Sequence, residues 1–428
     1  MGPRSVLAGA VLALAAVISS SPCRAESAAC GPKVTRATVV ACAVRNTPAV
    51  RGERYGVEAA RGRETAAGVI LPSNPVLSVT AGPRSAGAGM SAVNWSASLA
   101  QEVEIAGQRG ARLDAARAEI EAQSKRAILS ERDAATAALV AYFEVLSARD
   151  ELALVNRLAG IAEKLSESAR SRAEQGLVSP VDADVAYAAS IRVQQARAAA
   201  ERRATTAVAT LAAAIGADPT KPLQVEGDLV PLAVADESIV RLADQATAGR
   251  AEVEIARAEE VANERRAAVL RRTRAPNLTL SVSVGSDGFN ERIITGGISV
   301  PIPLPSPLGR TNAGEIAEAM ALARRAGTEV ERLQRRVRLE VVTAAQTFAS
   351  RRRELSAFDA KRLARAEGSL KALGEELDAG RVTVRDALLA QQGLIELLQA
   401  HVEAKRALCL ASLDLARAAG VALERGEP

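Results

Sequence analysis

Aromatic side chains are scarce here: four Phe, three Tyr and one Trp make up 2% of 428 residues, against 48% hydrophobic residues, many of them alanine. Such a chain cannot fill a thick globular core with large side chains. It suits long helices packed closely side by side, with alanine at the contacts. Histidine occurs once, as His401, which reads as a polar-face residue. The four cysteines include no C-x-x-C pair, so a zinc or redox motif is excluded and no metal ligands are assigned. Cys30 and Cys42 are able to pair in an oxidising compartment, and Cys409 reads as packed in a late helix. Nucleophile–base sets and phosphate loops are missing too, which argues against an enzyme and against any cofactor. A strong charge of one sign is also lacking. The net charge is +5, and basic and acidic side chains interleave along the helices, so no nucleic-acid partner is expected.

Long apolar runs are confined to the start of the chain. Residues 1–25 read as a signal peptide: Arg4 gives the positive start, residues 6–18 the apolar core, and Cys23-Arg24-Ala25 a small-x-small cleavage site. Lipidation at Cys23 is the alternative, although Ser20-Ser21-Pro22 lacks the leucine such a signal carries. Beyond residue 25 no run approaches the roughly 18 apolar residues of a membrane helix. An exported chain is expected, with no helix to hold it in a bilayer.

What is present is a helical hairpin that occurs twice. A helical pattern over residues 109–215 is interrupted only at Gly176-Leu177-Val178-Ser179-Pro180-Val181-Asp182. Gly176 can take the left-handed conformation that stops a helix. Ser179 as cap, Pro180 at the first helical position and Asp182 three residues after the cap restart one. The device returns at Gly380-Arg381-Val382-Thr383-Val384-Arg385-Asp386, so both copies read G-x-V-[ST]-x-x-D, 204 residues apart. Residues 147–152 (SARDEL) match 350–355 (SRRREL), and 74–82 match 277–285, both at an offset of 203. A tandem duplication overrides the two or three domains that length alone suggests. The helix from Arg109 to Glu174 would be a rod of roughly 100 Å, longer than any compact domain of this size.

Strand signals precede each helical hairpin. Residues 76–81 and 93–99 form a first β-hairpin (about 75–104), with a loop at 83–89. In the second, residues 277–284 alternate Leu278, Leu280, Val282 and Val284 with Thr279, Ser281 and Ser283. The following strand, 293–302, is stopped by Pro301, Pro303, Pro305 and Pro307. The expected organisation is a first repeat over 26–215 with its helical hairpin at about 107–215, then a connector over 216–247. A second repeat covers 248–420, with a β-hairpin at about 277–303 and a helical hairpin at about 312–418, and the tail is 421–428. Four strands cannot close a barrel alone, since membrane barrels need about eight or more. Apolar positions outside and Ser/Thr inside are the pattern of a water-filled barrel in lipid, so several copies must share one.

These features resemble the TolC-type outer-membrane efflux family. The resemblance rests on Asn46-Thr47-Pro48, residues 72–82, the run 101–109 (QEVEIAGQR), both G-x-V-[ST]-x-x-D turns and residues 299–304 (SVPIPL). The run 101–109 and the segment 309–319 look most like the heavy-metal branch. The resemblance implies a mainly α fold with a small β part. Duplicated long α-helical hairpins would form an α-barrel in a homotrimer, and four strands per chain would contribute to a shared 12-strand β-barrel in outer-membrane lipid. The partners implied are a periplasmic adaptor and an inner-membrane RND-type pump, with heavy-metal cations as cargo. The helical part would lie in the periplasm. Carried over, Gly176, Leu177, Val178, Gly380, Arg381 and Val382 are the tips that dock the adaptor. Asp386 is a candidate for the tunnel gate, where a carboxylate ring would favour cations. The residue three further on, often acidic in the family, is Leu389, and the usual tyrosine before the second turn is Leu377. Ser179 with Asp182, and Thr383 with Asp386, also serve simply as helix caps. The rival readings are a periplasmic adaptor, which would need one hairpin between β-rich halves, and a structural coiled-coil envelope protein, which has no use for amphipathic strands.

Overall fold

The computed structural model describes residues 30–421 apart from 32, 87–89, 234–237, 289–290, 305–307 and 310. The expected signal peptide, Cys23 and all of the tail but Val421 lie outside the described residues, as do Pro305 and Pro307. Strand β1 (Lys33–Val34) leads into helices α1 (Arg36–Asn46) and α2 (Pro48–Ala67). The hairpin β2 (Val76–Ala86) and β3 (Met90–Val103) follows, then the long helices α3 (Gln108–Glu174) and α4 (Pro180–Ala214). After β4 (Gln224–Val225) the order repeats. Helices α5 (Ile239–Gly249) and α6 (Ala251–Arg272) precede β5 (Leu278–Ser286) and β6 (Arg292–Ser299). Helices α7 (Ala313–Ser356), α8 (Ala360–Asp378) and α9 (Val384–Ala419) complete the chain.

Local chemistry sets these boundaries. Thr35 and Thr38 cap α1 reciprocally, each hydroxyl accepting the other's backbone N–H. Pro48 starts α2 in the first turn, where its missing N–H costs nothing. Ser238 caps α5 by accepting the Arg241 N–H, and it lies 203 residues after Thr35. The pair α5–α6 therefore repeats α1–α2, and the segment expected as connector over 216–247 contains most of α5.

Three further elements differ from expectation. β2 runs on through Pro83 to Ala86, where a loop was expected from residue 83. Within one chain β2 is an edge strand, and an edge tolerates a residue without an N–H. β6 stops at Ser299, two residues before Pro301, instead of reaching 302. The first arm of the second helical hairpin is not continuous: it breaks at Ala357-Phe358, and Asp359 caps the new helix by accepting the Arg362 N–H at 2.9 Å.

Among the described residues the helical part packs in three clusters, the third joining α5, α6 and α7 to the end of α9. One cluster joins Val39, Val40 and Ala43 of α1 to Leu139, Tyr142, Phe143 and Leu146 of α3, Leu211 of α4 and Leu413 of α9. It holds two of the chain's few aromatic rings, and the Tyr142 hydroxyl donates to the Glu226 carbonyl at 2.8 Å. Cys30 and Cys42 form a disulfide beside it, and the parallel pair β1–β4 ties the N-terminal segment to the chain between the repeats. Cys409 is buried there, and burial pushes its thiol up to about 11. The second cluster, near the turns, packs Leu158, Leu165 and Ala169 of α3 against Leu370, Leu373 and Leu377 of α8 and Ala387 of α9.

Candidate functional site: a two-faced sheet and two hairpin tips

The four strands pair antiparallel in the order β2-β3-β5-β6. Residues directly opposite one another share a face, so the register sorts the sheet. One row reads Leu77–Leu99–Val282–Gly296 and the next Val79–Ala97–Val284–Ile294. On the other face one row is Ser78–Ser98–Ser283–Thr295 and the next Thr80–Ser96–Gly285–Ile293. The Thr80 and Ser96 hydroxyls are 2.8 Å apart, and the Ser281 hydroxyl donates to the Gly297 carbonyl at 3.3 Å. Among the described residues nothing covers the apolar face: Leu77 and Val79 are each 68% exposed and Ile294 78%. Trp95 lies on that face in the row ending at Arg292, at the end of the sheet where Arg84 pairs with Asp287. An aromatic between apolar wall and charged rim is the arrangement at a membrane–water boundary.

The opposite end of the sheet is welded to the helices by the run 101–109. Glu102 accepts from the Asn277 amide at 2.7 Å and from the Ser73 hydroxyl at 3.2 Å. Gln108, buried, donates to the Asn277 side-chain carbonyl at 3.1 Å and accepts the Ala106 N–H at 2.8 Å. Arg112 holds Glu104, whose side chain is almost fully buried. No motif in the sequence marks this junction between the repeats. The matching Asn74 and Asn277 at the two sheet entrances were the available signal.

Both helical turns have the same backbone. Gly176 and Gly380 have φ of 74° and 70°, a region that other L-residues enter at a cost of roughly 1–2 kcal/mol. Each closes a Schellman motif: Leu177 N–H to Arg172 O and Gly176 N–H to Ala173 O, then Arg381 N–H to Glu376 O and Gly380 N–H to Leu377 O. At the first tip Leu177 is 63% exposed while Val178 packs against the lower helical cluster, as Val382 does at the second. Arg381 makes a two-point ion pair with Glu376, at 2.6 and 2.8 Å, and this pairing holds the Glu376 carboxyl below its ordinary range. Arg172 links the tips by donating to the Leu377 carbonyl.

The caps differ between the two copies. Thr383 accepts the Asp386 N–H at 3.2 Å and donates its hydroxyl to the Asp386 carboxylate at 2.7 Å. Ser179 instead accepts from Val181, one residue short of Asp182, and Asp182 returns no hydrogen bond to the cap. The reciprocal box, in which the acid accepts the cap residue's own backbone N–H, is formed at neither turn, since aspartate is shorter than the Glu or Gln that closes such a box. Asp386 is exposed, and Leu389 beside it is 64% exposed. Among the described residues no group of three or more His, Cys, Asp or Glu could hold a metal ion. None of the described helices is long and apolar enough to cross a membrane.

A duplicated helical hairpin set under a four-stranded sheet, with one apolar and one hydroxyl-lined face, is the protomer fold of outer-membrane channels. Residues 41–217 match the family described as outer membrane efflux protein. VceC from Vibrio cholerae superposes with a TM-score of 0.70 at 20% identity, over 89% of this chain and 95% of its own. CusC gives 0.73 at 16% identity, over 90% and 91%. The open-state MtrE channel of Neisseria gonorrhoeae gives 0.71 at 16% identity, over 90% and 88%. Protein CyaE of Bordetella pertussis (strain Tohama I / ATCC BAA-589 / NCTC 13251) is 29% identical over 251 residues, 54% of this chain. The match spans about half, 52%, of that curated relative's length.

Proposed function

We propose that this chain is the outer-membrane duct of a tripartite exporter, passive and without chemistry of its own, assembled as a homotrimer. The observation that carries the reading is the sheet. Its apolar face is uncovered, its other face bears hydroxyls, and β2 and β6 each leave an edge unpaired within one chain. In hydrocarbon each unpaired backbone group costs several kcal/mol, so the edges must meet those of other copies. Three copies would make twelve strands over twelve hairpin arms. The partners are a periplasmic adaptor at the tips and an inner-membrane RND-type pump that supplies the energy. Divalent heavy-metal cations are the cargo favoured by the resemblance of residues 101–109 and 309–319 to the heavy-metal branch, with selection made by the pump. An adaptor with one hairpin does not account for two, and a coiled-coil envelope protein does not account for the sheet. Fractionation tests the reading: an oligomer in outer membranes that resists SDS until heated supports it, and a soluble periplasmic monomer refutes it.

The tips give a sharper test. A Cβ at Gly176 meets open space, so Gly176→Glu disturbs only the turn conformation and the docking surface. The expected result is intact trimers with adaptor binding weakened by about 2 kcal/mol per tip, roughly 30-fold, read by pull-down and by export. Loss of the trimer would instead make the glycine a folding residue.

Asp386 separates gate from cap. Asp386→Ala is expected to raise conductance through purified trimers in a planar bilayer and to weaken their preference for cations. Asp386→Asn keeps an acceptor for Thr383, so a response to both variants marks the charge, whereas unchanged conductance in both leaves only the cap.

A further inference from the structure

The two repeats differ in one place that the duct reading does not use. In the first, α3 passes unbroken through residues 153–156, the positions equivalent to 356–359. In the second, the corresponding arm stops at Ser356 and restarts at Ala360. No proline or glycine causes the break. It is held by the Asp359 cap and by Phe358, whose ring packs against His401 of α9 at 5.2 Å between centroids, tilted by 56°.

His401 is the chain's single histidine, and it is half-buried, not on the polar face expected from sequence. Its Nδ1 is buried without a hydrogen-bond partner. The charges around it are mostly committed elsewhere. On α9 Arg406 is held by Glu144 of α3 and by Glu403, both carboxylates 2.7 to 3.1 Å away. Asp359 is engaged with the Arg362 N–H, and Arg157 of α3 pairs with Glu367 of α8. Lys405, one turn along α9, is the charge that acts on the ring. Burial first, and Lys405 second, push the imidazole below its ordinary value.

We propose that the break at Ser356–Asp359 is a proton-sensitive hinge, clamped by the packing of Phe358 on His401 and released when His401 takes up a proton. Protonation would place a second N–H donor in a buried position with no acceptor, beside a lysine, and such a group must find water. Moving Phe358 aside provides that access. Below the hinge, α8 is held to α3 by leucine contacts, by the half-exposed pair Arg157–Glu367 and by Arg172 on the Leu377 carbonyl. That cluster also takes in Val384, Ala387 and Leu398 of α9, so release at the hinge would shift α8 against this packing. The sign follows from the downward shift. Neutral His401 stabilises the clamped form fully above the unfolded value of about 6.5, and this is lost as pH falls through the lower folded value.

The proposal rests on the duct reading, and its test uses wild-type trimers in planar bilayers. Conductance is expected to rise severalfold between pH 7.5 and 5.0. His401→Phe keeps a packed ring that cannot take a proton, so its conductance should stay low at both values. His401→Gln serves the same purpose if the phenylalanine variant does not assemble. A measurable conductance that does not change with pH in the wild type, or the same rise in these variants, overturns the hinge. A trimer that conducts at neither pH overturns the duct reading instead. Labelling histidine in the wild type gives one resonance, and a midpoint at or above 6.5 overturns the hinge without any variant.

Discussion

Val282→Arg is expected to abolish assembly in the outer membrane, whereas Ser283→Arg, one residue further on, leaves trimers intact and alters conductance. The register places Val282 in the apolar row with Leu77 and Leu99, and Ser283 in the hydroxyl row with Ser78 and Ser98. A charged side chain at mid-bilayer on the lipid face of a barrel costs roughly 2–4 kcal/mol. In the proposed trimer, three copies would make that roughly 6–12 kcal/mol, comparable with the whole stability of an ordinary domain. On the water-filled side the same charge stays solvated. Gel migration with and without heating, read with single-channel conductance, separates the two. Equal loss in both variants would mean that the sheet packs against protein on both faces.

Much of this was legible in the sequence because it is local. The alternation Leu278-Thr279-Leu280-Ser281-Val282 fixes which residues share a face, and a one-residue slip would expose the wrong ones. Gly176 and Gly380 announce turns because few other residues adopt a positive φ. What escaped depends on partners distant in sequence. Pro83 reads as a loop until β2 is known to be an edge strand. Helical periodicity passes through Phe358 unchanged, and the break there is decided by Asp359 together with His401, some forty residues away. Arg250 is buried between Glu252 and Glu340, the latter 90 residues away, and no local pattern marks it.

Replacing Arg250 with methionine is expected to lower stability by about 3 kcal/mol, the second-largest effect anticipated. The guanidinium, with a side chain only 7% exposed at the α5–α6 junction, is held by Glu252 and by Glu340 of α7. Removing it leaves two partly buried carboxylates facing each other, and breaking a buried pair from one side costs roughly 3–5 kcal/mol. The lower end applies because both acids keep some contact with water. Burial is the strongest single influence on Glu252 and Glu340 and pushes them up. The hydrogen bonds and charge of Arg250 outweigh it, helped by Arg132 for Glu252 and by Arg336 for Glu340, so both carboxyls lie below their ordinary range. Their contribution is therefore complete above about pH 4.5 and is lost as pH falls through the lower folded values. Thermal unfolding of the two proteins should differ by several degrees at pH 7, with the gap narrowing below about pH 4.5. A gap independent of pH would point to lost packing instead of lost charge.

The open edges of the sheet also bear on biogenesis. On the proposed reading, a newly exported copy would carry greasy strands with unsatisfied rims through an aqueous compartment before meeting its partners, and such a surface is where chains aggregate. Productive assembly should then depend steeply on how many copies are present at once, and overproduction should divide the protein between mature pores and insoluble deposits. Escort by a holding chaperone that covers β2 and β6 would shift that division toward pores.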